Sequence, residues 1–248
     1  DNEIEVLCFS KKKTFISKKN GYTVNFFKSL FHLFATPISF KIIFFLIKNF
    51  KKYDYVHIHT PNPLITLCIV FLPIKKLIVS WGSDIVNQKF ISFFFYPIQY
   101  LLLKKAEKII CLSKNYLNHS SDLKPFFDKT FIIPPIQKIN QTKLNLKKNN
   151  KIVNIVTVGR LVDYKGHNIA IKAVKYLPKN YILTIIGNGP NKIKILRQIS
   201  DLNLQDRVKL LDNVNDDLKI NILKKSTIFL MCSTSRAESF GIAILEAI

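Results

Sequence analysis

Several residue types that build common functional sites are scarce in this sequence. Its four cysteines are widely scattered without a C-x-x-C pair, which favours reduced thiols over a disulfide framework or a zinc site. Only four of its 38 basic residues are arginine, and none belongs to an interleaved aromatic–arginine motif. This composition argues against a protein that recognises nucleic acid. No uninterrupted apolar run reaches the roughly 18 residues of a membrane span. Residues 64–74 are too few, and residues 38–50 contain Lys41 and Lys48.

Acidic residues are also scarce, 16 against 38 basic ones, which gives a formal net charge of +22. Such an excess attracts phosphate-rich partners: an anionic lipid surface, nucleic acid or a charged donor. Because lysine carries nearly all of the charge, we expect an anionic membrane surface as a partner and no nucleic acid. A compositional bias of the whole genome towards Lys, Asn, Ile and Phe explains the charge equally well.

Strand-like and helix-like segments alternate in two series. Residues 137–151 between the series are rich in Lys and Asn and lack periodicity, which is typical of a linker. Alternating strands and helices imply parallel sheets with right-handed crossovers. The sequence therefore predicts an α/β protein with two Rossmann-like domains, residues 1–136 and 152–248, each incomplete. The five lysines between Lys11 and Lys19 are expected to mark an exposed loop.

Residues 38–52 have apolar side chains at Ile42, Phe45 and Leu46 with lysines elsewhere, the pattern of an amphipathic helix. The phenylalanine-rich face and its flanking lysines also suit a membrane surface. Packing against a protein core is favoured because a strand, residues 55–59, follows at once.

Polar residues follow two predicted strands of the first series. His57 and His59 lie on the same face of the strand, because side chains alternate, but no third ligand at suitable spacing indicates a metal site. His59 is expected near the carboxyl end of the strand, where α/β proteins bind ligands. Asp84 ends the turn after residues 76–81, either as the cap of a helix over residues 86–104 or as a ligand contact. Pro97 should kink or split that helix.

A glycine-flanked turn, residues 159–166, lies between a buried strand and a helix in the second series. It carries Arg160 and Lys165 close to the free N–H groups of the helix, which is a physically sound phosphate site. Cations that serve only solubility are the alternative. A second loop with Gly187 and Gly189 also follows a strand, although this spacing alone is a weak signal.

Glu238 and Glu246 are separated by seven residues near the end of the sequence. On one straight helix they would lie roughly 80° apart and share no narrow face. A loop carrying Glu238, a flexible entry at Gly241 and a helix from Ile242 would bring both carboxylates to one cleft, where they could accept hydrogen bonds from sugar hydroxyls. A surface loop and an ordinary amphipathic helix are the alternative. The helix is predicted to bury a stripe of apolar residues: Ile242, Leu245 and Ile248.

Residues 236–246 resemble the Glu-x7-Glu signature of retaining glycosyltransferases of family 4 (group 1), which have the GT-B fold. The resemblance implies that Glu238 contacts the transferred sugar and Glu246 binds the ribose diol of the donor, with Phe240 and Gly241 between them. Residues 159–166 resemble the Gly-Arg-Leu…Lys-Gly motif, whose two cations hold the donor diphosphate. The loop with the two glycines at 187 and 189 approaches the nucleotide in that family. Residues 81–84 are similar to its His-Gly-x-Asp turn, with Trp81 where many members carry His.

The resemblance implies the GT-B architecture, two Rossmann-like domains facing a cleft, in an internal piece of a longer protein. It further implies a retaining transfer of a hexose, with mannose suggested by bacterial polysaccharide and lipopolysaccharide mannosyltransferases, from a nucleotide-diphosphate sugar. The acceptor would be a saccharide or lipid-linked, in cell-surface polysaccharide synthesis. No metal or other cofactor is expected, and the location would be cytoplasmic, peripheral at the inner face of the membrane. A GT-B sugar-nucleotide epimerase and a non-catalytic basic protein of the membrane surface are the alternatives.

Overall fold

The chain divides into two compact units, residues 1–133 and 134–248. The computed structural model describes residues 3–19, 21–33, 36–84, 89–136, 152–235, 237–238 and 240–248. The linker predicted at residues 137–151 lies outside the described residues, so its bounds stay a prediction.

The first unit is built mainly from short strands and three longer helices. Its elements are, in chain order, β1 (Ile4–Ser10), β2 (Phe15–Lys19), β3 (Tyr22–Lys28), β4 (Phe31–Leu33), β5 (Thr36–Ile38), α1 (Phe40–Asn49), β6 (Val56–Thr60), α2 (Pro63–Phe71), β7 (Leu77–Trp81), α3 (Lys89–Lys105), β8 (Lys108–Cys111), α4 (Lys114–His119) and β9 (Thr130–Ile132). Phe50–Lys52 and Lys124–Lys129 form 3-10 helices.

A four-stranded parallel sheet of order β6-β7-β8-β9 forms the centre of this unit. Strand β3 lies between β1, to which it is parallel, and β2, to which it is antiparallel; β4 and β5 form an antiparallel pair. Helices from the crossovers cover the parallel sheet, because β7 is buried at every second residue and needs apolar partners. The core includes Ile42, Ile69, Leu77, Val79, Leu102 and Leu103.

One expectation for the first unit is wrong in part, and one of two alternatives for its longest helix is excluded. The lysine-rich stretch is a loop only before Phe15. From Phe15 onwards it forms β2, which pairs with β3 so that Phe15 lies opposite Phe26. The two rings stack with centroids 4.4 Å apart, and this cross-strand pair holds the strand in place despite the neighbouring charges. The helix after Asp84 runs through Pro97 as one element, so it is not split there, and a kink at Pro97 stays a prediction. Residues 85–88, where its predicted start falls, lie outside the described residues.

The second unit repeats the strand-then-helix order. Its elements are β10 (Val153–Val158), a 3-10 turn (Asp163–Lys165), α5 (His167–Tyr176), β11 (Tyr181–Ile186), α6 (Lys192–Asp201), β12 (Val208–Leu211), α7 (Asp216–Lys225), β13 (Ile228–Phe229) and α8 (Ile242–Ala247). The core of this unit is made by β-branched and leucine side chains of the sheet and of α5 and α6, among them Ile155, Ile171, Val174, Leu183, Ile185 and Ile195.

All four strands of the second sheet are parallel, in the order β12-β11-β10-β13. The chain therefore moves outwards from β10 in one direction through β11 and β12, and then returns to add β13 on the other side. The carboxyl ends of β10 and β13 form the topological switch point of the sheet, where open α/β sheets bind ligands. Within the described residues, neither unit contains a helix that is long and apolar enough to cross a membrane.

Candidate nucleotide-sugar site

The loops that leave β10 and β13 lie side by side at the switch point of the second sheet. Gly166 takes a left-handed conformation, with φ at +68°, and a Cβ atom there would lie 1.9 Å from the carbonyl oxygen of Cys232. Only glycine therefore allows the segment after β13 to approach this closely. The backbone N–H of Thr234 donates to the carbonyl oxygen of Tyr164 at 2.8 Å, which fixes the two loops together.

Lys165 and Glu238 form an ion pair across these two loops. The hydroxyl of Ser233 lies 3.5 Å from Oε2 of Glu238, the oxygen that also faces the lysine. The aliphatic part of the Lys165 side chain packs over Gly159, where a Cβ atom would lie 3.3 Å from its Cδ. The structure thus brings together two residues that the sequence placed in one site from segments 73 positions apart in the numbering.

Glu246 lies on α8, which begins at Ile242 as the spacing predicted, after Gly241 with φ at +78°. Its Oε1 accepts a hydrogen bond from Nζ of Lys219 at 2.9 Å, and the same ammonium group lies 3.1 Å from Oδ1 of Asp216. Burial lowers the pKa of Lys219, but the hydrogen bonds with the two carboxylates outweigh burial and raise it above its usual value. Sequence reasoning missed Lys219 because it had not identified α7.

The predicted buried stripe on α8 is wrong. Ile242 and Ile248 are 46% and 86% exposed, and Leu245 is only half-buried. The physical reason is that α8 packs against α7 in a way that leaves the side chains of Ile242 and Ile248 exposed.

Two other residues that were predicted to belong to this site lie in two different loops. Phe240 is half-buried in the loop before Gly241, and Arg160 is exposed in the loop after β10. Arg236 and Ser239 lie outside the described residues.

Gly187 and Gly189 bring the loop after β11 into backbone contact with the loop after β10. A Cβ atom on Gly187 would lie 1.9 Å from the carbonyl oxygen of Gly159, and one on Gly189 would lie 2.5 Å from that of Leu161. The backbone N–H of Leu161 donates to the carbonyl oxygen of Asn188 at 3.0 Å. Both glycines are therefore required for loop packing, and their contact with a nucleotide stays a prediction.

His167, the first residue of α5, is 3% exposed, although sequence reasoning gave it no role. Its Nε2 lies 3.3 Å from the carbonyl oxygen of Arg160, while Nδ1 has no hydrogen-bond partner among the described residues. Burial lowers the pKa of His167 and the nearby charge of Lys165 lowers it further, against the opposing effect of the backbone hydrogen bonds. A neutral imidazole that donates from Nε2 therefore supports the loop that carries both predicted phosphate-binding cations.

Asp84, in the first unit, has an intramolecular role. Its Oδ1 accepts hydrogen bonds from Nε1 of Trp81 and from the hydroxyl of Ser120, both at 2.8 Å. Its backbone N–H donates to the hydroxyl of Tyr116 at 2.5 Å. Trp81 thus anchors this aspartate, and the contact of Asp84 with a ligand stays a prediction.

His57 and His59 share one face of β6 as predicted, with their rings stacked 4.7 Å apart. Nε2 of His57 lies 2.7 Å from the hydroxyl of Ser80, and burial, followed by the charge of His59, lowers the pKa of His57. His59 is exposed. In the part of the chain that the structure describes, no group of three or more His, Cys, Asp or Glu residues could hold a metal ion.

Comparison with known proteins matches two family models along the chain. Residues 137–248 match "Glycosyl transferases group 1", and residues 1–113 match "Glycosyl transferase 4-like". O-antigen chain mannosyltransferase C of Escherichia coli is 28% identical over 98% of this chain and 67% of its own length. D-rhamnosyltransferase WbpZ of Pseudomonas aeruginosa is 27% identical over 78% of this chain and 52% of its own length.

Among solved structures, Anabaena HepE in complex with UDP and glucose has a similar fold. The TM-score is 0.69 at 18% sequence identity, over 90% of this chain and 64% of the HepE chain. The chain thus spans about half to two thirds of the length of these relatives. Together with the parallel sheets of both units, the similarity identifies the fold as GT-B.

Proposed function

Because the chain belongs to the glycosyltransferases that the group 1 and 4-like family models describe, we propose that it transfers a hexose from a nucleotide-diphosphate sugar to a saccharide or lipid-linked acceptor. The product would be part of a cell-surface polysaccharide. The names of the two bacterial relatives, an O-antigen chain mannosyltransferase and a D-rhamnosyltransferase, favour a mannose-type donor. HepE, which was solved with UDP and glucose, supports a nucleotide site in this fold.

The observation that carries the proposal is the position of Lys165 and Glu238 at the switch point of the second sheet. In the transfer, the bond between the anomeric carbon and the diphosphate breaks, and negative charge develops on the leaving phosphate. Lys165 and Arg160, beside the N-terminus of α5, would stabilise that charge. Glu238, which follows the neighbouring strand, would bind the hydroxyls of the hexose.

The remaining predicted residues would complete the site. Glu246 would accept hydrogen bonds from the two ribose hydroxyls, since a carboxylate can accept several at once. Phe240 and Gly241 would contact the donor between the two carboxylates, and the loop of Gly187 would border the nucleotide. We propose retention of configuration at the anomeric carbon and a mechanism that requires no metal ion.

The test is an assay of nucleotide-sugar binding and transfer by the chain. UDP-glucose and GDP-mannose are titrated by calorimetry, and transfer to octyl glycosides of mannose, rhamnose and glucose is followed by mass spectrometry. Transfer with an unchanged anomeric configuration in the NMR spectrum supports the proposal. Conversion of the donor sugar without an acceptor would favour the epimerase, and lack of binding of both donors would favour a non-catalytic protein.

An anionic lipid surface is the further partner that we propose, in contact with the outer face of α1. Phe40, Phe44 and Ile47 follow one another at helical spacing and are 53%, 70% and 49% exposed, while the opposite face packs into the core. The exposed Lys41 and Lys48 flank these apolar side chains. Apolar residues bordered by lysines suit the boundary of an anionic bilayer. A cytoplasmic protein bound to the inner membrane face would have this surface.

A further inference from the structure

Lys219 links two carboxylates that lie on different helices. Its ammonium group is 2.9 Å from Oε1 of Glu246 on α8 and 3.1 Å from Oδ1 of Asp216 on its own helix. The side chains of Lys219 and Glu246 are 19% and 23% exposed, whereas that of Asp216 is 89% exposed. The contact between Lys219 and Glu246 is therefore the sheltered part of this cluster.

The first turn of α7 fixes the position from which Lys219 reaches Glu246. Oδ1 of Asn215 caps the helix by accepting a hydrogen bond from the backbone N–H of Leu218 at 2.8 Å. The backbone N–H of Lys219 donates to the carbonyl oxygen of Asn215 at 3.0 Å, so this residue stands in the first hydrogen-bonded turn. Asp216, three residues earlier on the same helix face, limits the movement of the flexible lysine side chain.

We propose that Lys219 is a positioning residue that holds the carboxylate of Glu246 in the orientation that binds the ribose hydroxyls of the nucleotide donor. This inference rests on the proposed function, in which Glu246 binds the ribose diol. A carboxylate has roughly four acceptor positions, so a hydrogen bond from a lysine and hydrogen bonds from ribose hydroxyls are compatible on the same group. Hydrogen bonds to a carboxylate are charge-assisted and therefore stronger than neutral ones, so a carboxylate held in the wrong orientation loses a large part of the binding energy.

The experiment measures how strongly the chain prefers a nucleotide with ribose hydroxyls over one without them. UDP and GDP, and the counterparts of each that lack the 2′- and 3′-hydroxyls, are titrated into the chain by calorimetry. The preference is the ratio of the two dissociation constants for the same base. In the Lys219→Met variant we expect this preference to fall about 10-fold or more, on the scale of a lost charge-assisted hydrogen bond.

Two further variants separate positioning from a structural effect. Lys219→Arg keeps a cation and should retain most of the preference. Lys225→Met removes an exposed lysine from the last turn of the same helix and should leave the preference unchanged. A role of Lys219 in folding alone would weaken the binding of both members of each nucleotide pair equally, without changing their ratio.

The possible results distinguish this inference from the proposed function. If the unsubstituted chain binds neither UDP nor GDP, both are overturned. If it binds one of them with a clear preference for ribose, and Lys219→Met keeps that preference, only the inference about Lys219 is overturned. If Lys219→Met does not fold, Asp216→Asn, which loosens the lysine without removing it, should lower the preference by a smaller factor. An unchanged preference in that variant would equally refute the positioning role.

Discussion

The carboxylate of Glu238 forms an ion pair with the ammonium group of Lys165, and the two side chains are only 14% and 15% exposed. Each therefore neutralises the charge of the other. If Lys165 holds a diphosphate, that diphosphate must compete with the carboxylate of Glu238 for the same cation. The two residues should then differ sharply in what their replacement does to nucleotide binding.

Glu238→Gln should lower sugar transfer and raise the affinity for a free nucleoside diphosphate. The amide keeps the shape of the side chain but no longer competes as a carboxylate for Lys165, so we expect the dissociation constant to fall about fivefold, equivalent to about 1 kcal/mol, the scale of one competing hydrogen bond. Glu246→Gln should instead weaken the binding of the free nucleotide and of the nucleotide sugar. Calorimetry with UDP and GDP on both variants decides the matter. A loss of nucleotide affinity in Glu238→Gln, with none in Glu246→Gln, would reverse the assigned roles.

Arg160→Ala and Lys165→Ala should each lower the rate of sugar transfer by about 10²-fold or more, the scale of a lost donor to a developing negative charge. Both residues belong to the loop between β10 and α5, so a neighbouring lysine supplies the control. Lys172→Ala removes an exposed cation from α5 and should leave the rate unchanged. Steady-state rates at saturating donor test the prediction. Equal rates in all three variants would remove the phosphate-binding role from this loop.

The sequence was most informative where glycine and β-branched residues mark the ends of buried strands. The strand, glycine-flanked turn and helix predicted around residues 159–166 are present as β10 and α5, and α8 begins at Ile242 as predicted. These segments carry short-range signals, because a strand, a glycine turn and an apolar helix face follow directly in the chain.

Other features depend on contacts that a single sequence does not display. None of the residues of α7 is buried, so the helix has a weak periodic signal, although the capping Asn215 and the acidic first turn could have revealed it. Lys219 and Glu246 lie on different helices and are 27 positions apart in the sequence, so their contact has no local signal. The burial of His167 could have been found, because it begins a stripe that continues at Ala170, Ile171 and Val174.

Phe44→Ser should weaken the binding of the chain to anionic lipid vesicles. Phe44 is 70% exposed on the outer face of α1, and inserting a phenylalanine side chain into an apolar boundary contributes about 1.5–3 kcal/mol, so the binding constant should fall about 10-fold. The vesicles contain phosphatidylglycerol, and sedimentation measures the bound fraction. Binding should also decrease as ionic strength rises, because lysines contribute to the attraction.

A matched substitution on the second unit controls for a general loss of apolar surface in this experiment. Ile193→Ser changes a side chain on α6 that is 66% exposed and should leave vesicle binding unchanged. Equal binding of Phe44→Ser and the unsubstituted chain would exclude α1 as the lipid-binding face. Equally strong binding to neutral phosphatidylcholine vesicles would exclude the proposed preference for an anionic surface.

The stability of the second unit should decrease as the pH falls below about 6.5, the ordinary pKa of histidine. His167 is buried beside Lys165, so its pKa in the folded chain is lower than in the unfolded chain. The unfolded chain therefore binds more protons in acid, and the stabilisation that is complete above pH 6.5 is lost as the pH falls towards the folded pKa. His167→Gln keeps a donor for the carbonyl oxygen of Arg160 but does not titrate, so its urea midpoint should depend less on pH between 5 and 8. His119→Gln, in the first unit, should follow the unsubstituted chain. The same pH dependence in His167→Gln would show that other groups cause the acid instability.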